Sequence, residues 1–156
     1  MPSAPSSSDL ARLLPGTWAI SATNFPMWLT GDRRDPTLTY ELVSEDPLTL
    51  TDDVAFRTEA GEEKHILGID RWHGEGFIWR GKKLLRFLPS HWAVIGVSDD
   101  ETVLVIRFEK TMGTPAGIDI LVREGTTHPE LRSLIAHNSE SFGLTAEDFA
   151  SLTWQH

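Results

Sequence analysis

Cysteine is absent from all 156 residues. That excludes a disulfide framework, a thiolate nucleophile and a cysteine-held zinc site, and it fits a reducing cytoplasm, where the protein is expected to reside. Positive charge is also scarce. Fourteen Lys and Arg stand against 23 Asp and Glu, a net charge of −9 that repels nucleic acid and anionic membranes. No run of about 18 apolar residues occurs, and the N-terminal Met-Pro-Ser-Ala-Pro-Ser-Ser-Ser has neither a basic nor an apolar leader region, so neither a membrane span nor export is expected. A Gly-x-Ser-x-Gly elbow, a P-loop and a dinucleotide fingerprint are all missing.

Tyrosine occurs once, whereas tryptophan occurs six times. Rings in that number either fill a wide core or line a cavity. The length suits one domain, able to bury roughly 70% of its unfolded surface. We expect a mobile tail over residues 1–8 and a single domain over 9–156.

Ser8 or Asp9 can cap a short helix over Leu10–Leu14, which Pro15 and Gly16 end. A strand over 17–23 follows. Residues 24–36 hold Pro26, Gly31 and Pro36 beside Phe25, Met27, Trp28 and Leu29, too apolar for a solvent loop and too broken for a strand. A long loop folded over the mouth of a sheet reconciles the two. Strands are predicted over 37–44, where Leu38, Tyr40 and Leu42 share a face, and over 48–57, with a bulge or bend at Asp52 and Asp53. The strand over 64–72 mixes polar and apolar residues on both faces. Further strands are predicted over 77–80, 84–88, 92–98, 102–110 and 118–124.

The pattern then becomes helical. Thr127 and Glu130 have the spacing of a capping box for a helix carrying Leu131, Leu134, Ile135 and Phe142, which Gly143 stops. Thr145 and Asp148 cap a second, shorter helix. Eight or nine short strands at roughly ten-residue spacing, joined by hairpins, predict a mainly β protein: an antiparallel up-and-down barrel with a short N-terminal helix and C-terminal helices.

Gly16-Thr17-Trp18, preceded by a short helix and followed by a long apolar loop, resembles the Gly-x-Trp start of the first strand in lipocalins and related calycin barrels. The resemblance implies that Arg123, near the end of the last barrel strand, packs across Trp18, so Gly16, Trp18 and Arg123 would close one end. The Thr-Asp-Tyr turn of that family is missing; Thr51-Asp52-Asp53 lies elsewhere. With no secretion signal or disulfides either, the chain is more similar to an intracellular bacterial relative. The same start is similar to the haem-binding nitrobindins, which implies haem only if His65, His73 or His91 serves as its axial ligand.

Trp28, Tyr40, Trp79 and Trp92 are the candidates to line a cavity, with His65 and Arg107 as the polar groups that orient a ligand. Eight residues of extended chain separate His65 from His73 by roughly 26 Å, which excludes one shared metal ion. Asp70-Arg71-Trp72-His73-Gly74-Glu75 reads as a surface pair and a turn. Binding of a small hydrophobic or amphipathic molecule, by a monomer or homodimer, is the function that follows. The alternatives are a barrel enzyme catalysing a cyclisation, isomerisation or dehydration, and a filled barrel that binds another protein.

Overall fold

A computed structural model describes residues 4–82, 88–111 and 115–155. Among these residues the frame is a single sheet of nine strands. β1 (Gly16–Thr23), β2 (Arg34–Glu45), β3 (Leu48–Arg57), β4 (Glu63–His73), β5 (Gly76–Gly81), β6 (Ser90–Val97), β7 (Val103–Phe108) and β8 (Gly117–Arg123) pair antiparallel with their sequence neighbours, and β1 pairs with both β2 and β8 to close an eight-strand barrel. A short β9 (Thr153–Trp154) adds to β1 on the outside of that ring. Of the strand expected over 84–88, residues 84–87 lie outside the described residues, and Leu88 stands in an exposed bend. No helix among the described residues is long and apolar enough to cross a membrane.

Alternation along each strand decides what faces inward. On β7, Leu104 and Ile106 enter the barrel core with Trp18, Ile20 and Leu121, while Val103 and Val105 face outward. Those outward residues are nevertheless buried. They meet Ile118, Ile120 and Val122 of β8 and are covered by Leu131 and Ile135 of α2 (Leu131–His137), Phe142 and Leu152. β1 joins both cores, since an irregularity between Ile20 and Ala22 turns Ala22 to the outer side.

Several boundaries move for local reasons. α1 (Ser7–Leu13) starts within the expected tail because Ser6, not Ser8 or Asp9, is its N-cap and exchanges hydrogen bonds with Asp9. β2 begins at Arg34, the Asp35-Pro36 break being absorbed as a register shift before Thr37. The Thr127 and Glu130 box does not form, and Glu130 is an N-cap without a side-chain hydrogen bond. α2 also ends at His137, so Phe142 arrives through a turn. There its backbone presses on Gly96, where an added Cβ would lie 2.5 Å from the Phe142 Cα. The second box does form: Thr145 and Asp148 exchange 3.0 Å hydrogen bonds at the start of α3 (Ala146–Ala150).

One end of the barrel is closed as the Gly-x-Trp resemblance implies. Trp18 is fully buried and donates its indole N–H to the Leu14 carbonyl at 3.0 Å. The Arg123 guanidinium lies 4.1 Å from the Trp18 ring centroid and donates to the carbonyls of Leu13 and Pro15, tying α1 to the barrel. Gly16 has φ +126°, and a Cβ there would sit 2.7 Å from the Arg123 Nη1. Gly16→Ala therefore combines backbone strain with displacement of the guanidinium, and we expect it to lower stability by about 1–3 kcal/mol in urea denaturation. An unchanged denaturation midpoint would show that neither contributes.

Candidate functional site

The loop between β1 and β2 folds over the barrel's other end, and its apolar residues acquire partners there. Phe25 stands edge-on to Phe108 at 5.1 Å, and Trp28, in a 3-10 turn over Pro26–Trp28, meets Phe56 at 5.9 Å. Gly117 leaves room for the Phe25 ring, which would otherwise lie 2.2 Å from a Cβ. Beneath this loop is a cavity of about 470 Å³ with a mainly apolar wall. Trp28, Tyr40, Trp79 and Trp92 all line it. Trp92 is the most fully engaged of them, stacked on Phe77 at 4.6 Å and Tyr40 at 5.6 Å. Trp79 lies across Gly68, the one place on β4 where its indole fits against the sheet.

The two polar residues expected beside these aromatics are elsewhere. β4 turns Ile66, Gly68 and Asp70 inward, which sends His65 to the outer surface, where its Nδ1 lies 2.8 Å from the Asp53 carboxylate. The Asp53 hydrogen bond and charge, with Glu63 adding to them, raise the imidazole's pKa. Arg107 points outward as well, because Phe108 and Ile106 occupy the inward positions of β7. Its guanidinium binds Asp148 at 2.9 Å and anchors α3 to the barrel. His91 and His73 border an outer groove of about 600 Å³ together with Arg107. None of the three histidines considered for haem lies among the cavity residues, so the cavity offers no imidazole ligand among the described residues.

The interior polar groups are carboxyls instead. Asp52 and Asp119 line the cavity, and Asp70 stands beside Asp52, wholly buried, with its Oδ1 accepting the Trp92 indole N–H at 3.0 Å. Asp70 is thus a core residue and not part of a surface pair. Asp119 accepts from the Thr23 hydroxyl at 2.6 Å. One oxygen of each of the other two, Asp52 Oδ1 and Asp70 Oδ2, has no hydrogen-bond partner among the described residues. Burial pushes all three pKa values up, that of Asp119 to about 7, and the charge and hydrogen bond of neighbouring Asp52 raise Asp70 further. Tyr40 is raised well above its ordinary value by burial first and then by the three nearby carboxylates.

Asp52 and Asp119 carry a legible signal in the sequence. Leu48, Leu50, Val54 and Phe56 all point to one side, so strict alternation through Asp52 puts it inward without a bend; on β3 the register with β4 is unbroken. Asp119 shares the parity of Leu121 and Arg123.

A closed antiparallel eight-strand barrel with a cavity at one end and a helix on its flank is a calycin architecture. Within that class the fold is lipocalin-like. No family model and no curated protein matches the sequence, whereas solved structures match over most of their length. Lobster apocrustacyanin A1 superposes with a TM-score of 0.65 at 7% identity, covering 97% of this chain and 86% of that one. Siderocalin Ex-FABP gives 0.61 at 13% identity, covering 91% and 93%. The bovine lipocalin allergen Bos d 2 gives 0.56 at 17% identity, covering 92% and 93%.

Proposed function

We propose that the protein binds a small, largely apolar molecule in the barrel cavity. The observation that supports this reading is the cavity itself, about 470 Å³ walled by aromatic rings beneath the loop that carries Phe25 and Trp28. That volume lies within the range of small-molecule sites, and the wall combines apolar area with a few polar groups that can fix an orientation. Burial of ligand surface against the rings supplies affinity at about 25 cal/mol per Å². The fold agrees with the reading, and the structural neighbour siderocalin Ex-FABP is described as functioning through dual ligand specificities.

Native mass spectrometry of the protein purified from cells tests the proposal. A discrete added mass that disappears on denaturation is expected. Bare protein that also fails to quench or shift its tryptophan fluorescence with N-phenyl-1-naphthylamine, a neutral aromatic probe, would overturn it.

A further inference from the structure

The interior of this barrel presents carboxyl groups with nothing of opposite charge beside them. Asp52, Asp70 and Asp119 take part in no ion pair among the described residues. Asp52 is 6% exposed, lines the cavity and has an oxygen without a hydrogen-bond partner. Asp119, 2% exposed, lines the same cavity from the opposite part of the ring of strands. A buried carboxylate is expensive unless it is paired and hydrogen-bonded. Asp70 and Asp119 each accept a buried hydrogen bond, from Trp92 and Thr23, yet no cation among the described residues offsets the charge of any of the three.

The remaining wall favours the same kind of occupant. Aromatic faces attract cations through their quadrupoles, and Tyr40 and Trp79 stand in the same wall as the carboxyls, whereas Trp92 is stacked on both sides. The only basic side chain bordering the cavity among the described residues is Arg33, whose guanidinium lies over the Phe56 ring at 5.3 Å, by the covering loop. The protein's net charge of −9 adds a long-range attraction for cations.

We propose that the cavity takes an organic cation, a protonated amine on an aromatic or aliphatic body, with its ammonium group at the Asp52 oxygen that has no partner, in the field of the Asp119 carboxyl, and its apolar part among the aromatic rings. This rests on the cavity-binding reading above and names the class of ligand. The ammonium supplies the positive charge that the cavity lacks and a donor for the unpartnered Asp52 oxygen, and the charge-assisted bonds it forms are stronger than those of a neutral hydroxyl. The polar groups lining the cavity are Tyr40 from β2, Asp52 from β3, Ser90 from β6 and Asp119 from β8, with Arg33 at the loop, while Asp70 from β4 and Thr23 from β1 act as partners of Trp92 and Asp119.

Isothermal titration of the intact protein at pH 8 with 4-phenylbutylamine, 4-phenylbutan-1-ol and 4-phenylbutyrate tests the proposal, with N-phenyl-1-naphthylamine as the neutral reporter of the cavity. The amine is expected to bind at least roughly tenfold more tightly than the alcohol, and the carboxylate more weakly than either. Asp52→Asn and Asp119→Asn should each narrow the difference between amine and alcohol, as should lowering the pH to 5, where the carboxyls hold protons. The comparison of ligands on the unaltered protein stands even if a variant does not fold. Equal or tighter binding of the alcohol or the carboxylate, with the naphthylamine bound, would overturn the cation proposal and leave the cavity reading intact. Failure of all four probes to bind would overturn both.

Discussion

Asp119→Asn is expected to stabilise the protein at pH 8, by on the order of 3 kcal/mol, and to change little at pH 4. Asp119 has a folded pKa of about 7, against 3.8 for the ordinary side chain, because burial outweighs the hydrogen bond from Thr23. Below the unfolded value both states hold the proton and the group is neutral in its effect. Between the two values the folded state keeps a proton that the unfolded chain has released, so stability falls as the pH rises through that window. Above about 7 the full penalty of the buried charge is present. Asparagine cannot ionise, yet its amide oxygen still accepts from Thr23. Asp52 and Asp70 are shifted in the same direction, so the parent protein should lose stability from pH 4 to pH 8 even beyond the contribution of Asp119. Urea denaturation of parent and variant at both pH values measures this. A variant less stable than the parent at pH 8 would show that the Asp119 carboxylate is compensated in the folded state.

Trp92→Ala should lower stability by about 3–5 kcal/mol, the range for removing a large buried aromatic. Trp92 is 3% exposed and lies between Phe77 and Tyr40, so the lost ring opens the centre of the core and one wall of the cavity together. Trp92→Phe keeps most of the ring but removes the indole N–H that Asp70 accepts. Its loss, about 1–3 kcal/mol, comes from the unmet acceptor. That hydrogen bond favours the ionised form of Asp70, and without it the carboxyl is driven further toward its protonated state. If the two variants denature together, close to the parent, Trp92 is not the centre of the core.

The barrel was legible because its determinants are local and repetitive. Leu38, Tyr40 and Leu42 alternate, and the hairpin turns recur at short intervals, so strand number and order follow from the chain itself; Gly16, Trp18 and Arg123 then locate the closed end. The helical part was less legible. Thr127 and Glu130 have the spacing of a capping box, yet the Leu131 N–H is taken by the His128 carbonyl and the helix starts too late to use them. The aromatic lining was readable from parity and position, as Trp28, Tyr40, Trp79 and Trp92 show. Its polar partners were not, because chemical versatility suggested His65 and Arg107 while the facing of β4 and β7 places both outside. Asp70 was obscured by Arg71 and His73, which make its segment look like a solvent-facing turn; only the pairing of Leu50 with Asp70 in the β3–β4 register turns it inward.

The second core, between α2 and the outer faces of β7 and β8, gives the barrel a stiff side and a yielding side. On the stiff side each strand is gripped from within and from without, so Val105 and Ile120 cannot shift without disturbing both layers. Across the ring, Leu42, Val43 and Leu67 stand exposed with no second core behind them among the described residues. Widening the cavity for an occupant is therefore a matter for β2, β3 and β4, whose outer faces carry no second core among the described residues. Asp52 rides on that movable wall, while Asp119 is fixed to the braced one. The distance between the two carboxyls is set by how far one side of the barrel gives, and a bound molecule that draws them together would pull the thin wall toward the thick one.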